Sequence, residues 1–73
     1  MDRSVLDLKK GESGYIRKIS DPGMASKLFC LGLLPKARIT LVRKAPFGGA
    51  FYLKLEDHMI AVRTNEAAAI LLD

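Results

Sequence analysis

The chain of 73 residues carries one histidine, His58, and one cysteine, Cys30. Nucleophilic catalysis needs a nucleophile, a base and a group that orients the base. Cys30 and His58 fall on different predicted elements, in no spacing that such a site uses. No pair of carboxylates is placed for general acid and base work. We therefore expect no enzymatic activity. The densest run of metal-ligating types is Glu56, Asp57 and His58, followed by Met59. Consecutive side chains point apart and seldom converge on one ion. The run is expected to be a solvated turn, with no metal site and no cofactor. "PFGG" at Pro46 to Gly49 lacks the lysine and the spacing of a phosphate cradle. Tyr52 beside Lys54, and Tyr15 beside Arg17, are the nearest approach to a base-stacking surface. We expect both to be ordinary outer-face strand residues, and no nucleic acid partner.

Composition bounds the remaining possibilities. The net charge is +4 and the sequence pI is about 9.5, but lysine and arginine are scattered singly or in pairs. Such a spread reads as a solvated surface. A lone cysteine permits no internal disulfide, which fits a reducing compartment. "MDRSVLDLKK" has no apolar run of the kind a signal peptide needs, and no stretch is long enough for a membrane span. The expectation is a cytoplasmic domain spanning residues 1–73, without membrane insertion. Composition leaves the oligomeric state open.

These side chains must be positioned by short elements. "KKGESG" from Lys9 to Gly14 is turn-like. "YIRKIS" from Tyr15 to Ser20 is a predicted strand. Asp21 before Pro22 suits a helix N-cap with proline in the first turn. Met24, Leu28 and Leu31 then recur at helical spacing on one face. Gly32 is placed to end that helix in the left-handed conformation. Leu33 suits the position that folds back on the last turn, and Pro35 stops the helix from resuming. Ile39 and Leu41 alternate with Arg38 and Thr40, as in a strand. "KAPFGGA" from Lys44 to Ala50 is a loop. Phe51, Leu53 and Leu55 alternate with Tyr52, Lys54 and Glu56 in a second strand. "MIAVR" forms a third, "TNEAAA" a helical turn capped by Thr64 or Asn65, and "ILLD" a last strand.

Short strands with tight turns and one helix predict a mainly β fold. We expect a small antiparallel β-barrel with one inserted α-helix and a short helical turn near the C-terminus. A two-layer sheet-plus-helix domain is the alternative. The predicted core is Leu8, Ile16, Leu28, Leu31, Ile39, Leu41, Leu53, Leu55, Ile60, Val62 and Ile70.

Three segments carry a resemblance: "LGLLP" at Leu31 to Pro35, "RKAPFGG" at Arg43 to Gly49, and "IAVRTNEAAAI" at Ile60 to Ile70. With the opening "LDLKKGESG", their order and spacing resemble the FeoA family, small cytosolic proteins of bacterial ferrous iron transport. The resemblance implies an SH3-like barrel. It also implies an accessory role beside FeoB, a membrane permease with a cytosolic GTP-binding domain. The chain departs from the family where Lys36 follows Pro35, a place that often holds glycine. It departs again at Gly49 and Ala50, which are expected to make the loop flexible. The fold also resembles the C-terminal domain of iron-dependent repressors. The start at Met1, with no winged helix before it, favours the transport accessory over that reading or a small nucleic-acid-binding barrel.

Apolar residues in connecting segments are the candidate contacts. Phe29, Leu33 and Leu34 cluster near the helix-strand joint, and Phe47 occupies the loop. Such residues are buried either by the fold or by a partner. Leu33 also fits the core. Arg38, Arg43 and Lys44 flank these segments and would steer an acidic partner. The expected partner-binding set is Phe29, Leu33, Leu34, Arg38, Arg43, Lys44, Phe47 and Gly48.

Overall fold

The computed structural model describes residues 3–73. Six strands form one antiparallel sheet: β1 (Arg3–Ser4), β2 (Ser13–Ile19), β3 (Arg38–Lys44), β4 (Phe51–Lys54), β5 (Met59–Val62) and β6 (Ile70–Leu72). Their order across the sheet is β1-β6-β2-β3-β4-β5. Two helices interrupt the strands, α1 (Pro22–Cys30) between β2 and β3, and α2 (Thr64–Ala69) between β5 and β6.

The sheet does not close into a barrel, which corrects the expected fold. β1 and β5 are its two edges, and each has a ladder on one side only. The physical reason lies at β1. Ser4 caps a 3-10 turn over Val5–Asp7: its hydroxyl accepts from the Leu6 amide at 3.2 Å, while the Asp7 carboxylate accepts from the Ser4 amide at 2.9 Å. This capping box turns the chain out of the ladder directly after Ser4, and among the described residues β1 pairs with β6 alone.

Strand alternation sends one face of the sheet into a single core. Leu8, Ile16, Leu28, Ile39, Leu41, Leu53, Leu55, Val62 and Ile70 are buried as their periodicity predicts. Leu31 and Ile60 are only partly buried and pack on the edge of that core. Val5, Leu33, Phe51, Ala67 and Leu72 complete the cluster. Val5 comes from the unforeseen 3-10 turn, and Ala67 from α2, whose bounds match the expected helical segment. Burial at a few tens of cal/mol per Å² of apolar surface is the main force holding so small a domain together.

Helix α1 begins as the sequence implies, with the Asp21 carboxylate accepting from the Gly23 amide at 2.8 Å and Pro22 in the first turn. Its end is also as expected. Gly32 has φ +94°, and the Leu33 amide returns to the Leu28 carbonyl at 3.1 Å. This pattern closes a helix around a left-handed residue. Helix α2 is not capped by Thr64 or Asn65. Instead the Glu66 carboxylate accepts from the Arg63 amide at 2.8 Å. Glu66 is buried and also meets Lys27 of α1 at 2.7 Å, which binds the two helices together. Both contacts hold its carboxyl below the ordinary value, the Arg63 amide first and Lys27 second. No helix among the described residues is long and apolar enough to cross a membrane.

Candidate docking surface

Two connections carry the candidate contacts, and β3 separates them. The joint from Leu31 to Ala37 enters β3 at Arg38. The β3–β4 connection leaves at Lys44. Seven residues of strand lie between, about 20 Å at an ordinary β rise. The joint and the loop are therefore not one contiguous surface.

At the joint, Leu33 is fully buried in the core. It is removed from the contact set, because its side chain is already spent on holding the helix end to the sheet. Leu34 and Phe29 remain exposed. After Leu34 the chain makes a β-turn in which the Ala37 amide donates to the Leu34 carbonyl at 3.0 Å. Pro35 takes the second place of that turn and Lys36 the third, with φ +74°. A type II turn favours proline at the second place and demands positive φ at the third, where glycine is the usual choice. Lys36 accepts a strained backbone there. Arg38 begins β3 and reaches the Ser13 hydroxyl at 3.5 Å, which in turn shares a 2.7 Å hydrogen bond with Thr40.

His58 locks the same joint from the β4–β5 turn. Its Nε2–H donates to the Leu31 carbonyl at 3.3 Å, and its Nδ1–H to the Asp57 carboxylate at 2.9 Å. Both ring nitrogens face acceptors, so only the imidazolium satisfies both. The Asp57 hydrogen bond foremost, and the Leu31 carbonyl after it, raise the pKa of His58 from its ordinary value. Asp57 is lowered in return. The His58 ring also lies beside Gly32, where an added Cβ would stand 3.6 Å from it. Residues on both sides of this contact line an open cleft, from Gly32, Ala37 and Arg38 across to Lys54, Glu56 and His58. No group of three or more histidine, cysteine, aspartate or glutamate side chains able to hold a metal ion occurs among the described residues.

At the far end of β3 the chain forms a 3-10 turn over Pro46–Gly48. Phe47 sits at its centre with φ +68° and its side chain fully exposed, at 106% of the reference area. Positive φ is uncommon outside glycine, and for a bulky residue it stores strain. Three hydrogen bonds hold it there. The Gly48 amide donates to the Ala45 carbonyl at 3.2 Å, the Ala45 amide to the Ala50 carbonyl at 2.8 Å, and the Thr64 hydroxyl to the Gly48 carbonyl at 2.7 Å. The Gly48-Gly49 pair thus does not leave the connection untethered, as the sequence had suggested. Beside it, the Arg43 guanidinium lies 5.0 Å from the Tyr52 ring centre, and the Lys44 ammonium 5.4 Å from that of Phe51. Both are cation–π distances. Arg43, Lys44, Phe47 and Gly48 thus fall together, while Phe29, Leu34 and Arg38 belong to the joint.

Sequence reasoning missed Thr64, His58 and Lys36. Thr64 and His58 act across long sequence separations that periodicity does not report. Lys36 had a usable signal: a residue directly after proline in a tight turn.

The whole described chain, residues 3–73, matches the FeoA domain family. No curated protein matches it. Among solved structures it resembles a FeoA-like protein from Clostridium acetobutylicum, with TM-score 0.89 and 20% identity over 99% of this chain and 85% of that one. It also resembles a FeoA protein from Chlorobium tepidum, with TM-score 0.87 and 25% identity over 96% of this chain and 68% of that one. A manganese-dependent transcriptional repressor shares the fold, with TM-score 0.86 and 20% identity over 97% of this chain but 40% of that one. The match along its full described length places this chain in the FeoA family, small non-catalytic accessory domains of ferrous iron transport.

Proposed function

We propose that this chain is a docking module for the cytosolic GTP-binding domain of a FeoB-type ferrous iron permease, with the Phe47 turn as its anchor. The observation that carries the reading is a fully exposed aromatic ring on a strained turn tied down at both ends. Strained backbone of this kind concentrates at binding and switch sites. Nothing within the fold gains from exposing the ring, and aromatic residues, phenylalanine among them, are enriched in the cores of protein interfaces. The hydrogen-bonded turn fixes the ring before the partner arrives, so less conformational entropy is lost on binding. Arg43 and Lys44 flank the turn and would attract an acidic surface, raising the association rate more than the lifetime.

Leu34 and Phe29 supply a second, weaker patch at the joint, about 20 Å along β3. A domain this small offers a limited interface, so the affinity is expected to be modest. Calorimetric titration of the purified cytosolic domain of the permease with the chain tests the reading. Saturable one-to-one binding that weakens with added salt supports it. Absence of any heat or of any co-elution at about 100 µM of each protein, far above the usual range of specific complexes, contradicts it.

A further inference from the structure

The free edge of the sheet at β5 has the features of a second binding site, one that reads backbone rather than an aromatic anchor. β5 pairs with β4 in an unbroken register, Phe51 with Val62 through Lys54 with Met59. The Leu55 amide donates to the His58 carbonyl at 2.8 Å. Antiparallel ladders alternate, so the backbone groups of Ile60 and Val62 turn to β4. Those of Met59 and Ala61 turn outward, where no strand is paired with them. Sheet edges are commonly blunted by a proline, a bulge or a charged residue. The four residues of β5 contain none of these, and Met59 and Ala61 are exposed.

The strands beside this edge carry basic charge only. β3, β4 and β5 contain Arg38, Arg43, Lys44 and Lys54 and not a single acidic residue. On the outer face Lys54 lies across from Met59 and Tyr52 across from Ala61. Arg63, extended and exposed, continues the outward alternation past β5. A strand added to the edge would lie about 9–10 Å from β4, two strand spacings away. Lys54 reaching past Met59 and a glutamate reaching back span that gap. Carboxylates stand at both ends of the edge: Glu56 and Asp57 in the β4–β5 turn, lining one cleft with Lys54, with Asp57 held by His58, and Glu66 beyond Arg63, buried and taken up by the Arg63 amide and Lys27.

We propose that β5 accepts an extended segment of a partner protein as an additional strand, and that the segment carries acidic side chains on the face that continues the Tyr52–Lys54 surface. Backbone hydrogen bonds to Met59 and Ala61 supply the pairing, and Lys54 and Arg63 select the charge. A second copy of this chain is a poor occupant. Pairing through β5 would set the Lys54 and Arg63 side chains of both copies on one continuous face, like charge against like. The proposal is independent of the Phe47 turn.

The test uses an isotopically labelled chain and three blocked heptapeptides. One alternates glutamate with valine, the second replaces glutamate with lysine, and the third is the glutamate peptide N-methylated on alternate amides. The glutamate peptide is expected to shift the Met59 and Ala61 amide signals and to slow their hydrogen exchange at least about tenfold. The lysine peptide is expected to bind at least about tenfold more weakly, a gap that narrows with salt. The peptide methylated on the amides that face β5 should not bind. Lys54→Glu should weaken the glutamate peptide by a similar factor, while Phe47→Ala should leave it unchanged. Failure of the glutamate peptide to perturb Met59 and Ala61 overturns the proposal, as does equal binding of the lysine peptide or of the methylated peptide. Protection of those amides that appears without peptide and grows with protein concentration assigns the edge to self-association instead.

Discussion

The hydroxyl of Thr64, the first residue of α2, donates to the carbonyl of Gly48 at 2.7 Å and so fastens the Phe47 turn to the body of the domain. The two residues are separated by sixteen positions, and Thr64 has no other role in the fold that requires a hydroxyl. Thr64→Val keeps the side-chain shape and removes the donor. Both partners are exposed, so the loss of stability should stay below about 1 kcal/mol. The turn itself should loosen. Backbone order parameters at residues 46–49 are expected to fall toward those of a flexible loop, while those of β3 and β4 stay rigid. Unchanged order in the turn would mean that its backbone hydrogen bonds suffice.

Gly32 and Lys36 make opposite predictions from the same geometry. Both have positive φ, +94° and +74°. At Gly32 a Cβ would find its nearest contact with Leu55 at 3.5 Å, an ordinary packing distance. Gly32→Ala is therefore opposed by backbone conformation rather than by a clash, and should destabilise by about 1 kcal/mol or more. Lys36→Gly should relieve strain and stabilise by up to about 1 kcal/mol. Urea melts of both variants check the pair of signs.

Leu28 is fully buried on the inner face of α1. Leu28→Ala should cost about 2–5 kcal/mol, a large share of the stability of a small domain. Leu31, at the same predicted face but only partly buried, should cost less when changed to alanine. A denaturant melt in which the two variants match, or in which Leu28→Ala loses less than about half a kcal/mol, would contradict the packing described.

Most of the fold was legible because it follows from period and punctuation. Ile39, Leu41, Leu53 and Val62 alternate, and Asp21, Pro22 and Gly32 mark both ends of α1. The open sheet was not legible, because closure depends on whether two edge strands far apart in the chain pair, which periodicity does not report. The candidate surface was read as a single patch because Phe29, Leu34 and Phe47 are close in sequence order to β3. The strand's length holds them apart. Leu33 shows the limit of reading apolar residues in connections as contacts: a left-handed residue before it folds its side chain straight into the core. The tethers from Thr64 and His58 were invisible because each joins residues far apart in the chain.

His58 and Asp57 predict a shallow pH dependence at the joint. The raised pKa of His58 makes its contribution complete below the ordinary histidine value of 6.5, and lost as pH rises through the folded-state value. Asp57 is lowered, so its contribution is present above the ordinary 3.8 and lost as pH falls through its folded-state value. The joint should therefore be held best between these limits, in mildly acid solution. Thermal melts from pH 4 to 9 should show a small decline that begins as pH rises past the ordinary histidine value of 6.5 and that His58→Ala removes. A wild-type profile that rises through the same range would contradict the imidazolium clamp.

Phe47 is the residue on which the functional reading depends, and its exposure makes a clean probe. Phe47→Ala removes the ring without opening a cavity, so its melt should match that of the wild type within about half a kcal/mol. The decisive measurement is a calorimetric titration of the permease's cytosolic GTP-binding domain with wild-type and Phe47→Ala chains side by side. An interface anchor of this kind should be worth at least about 2 kcal/mol, or roughly thirtyfold in affinity. A loss of that size with an unchanged melt is the predicted result. Equal affinity of the two folded proteins would contradict the claim that the Phe47 turn is the docking anchor.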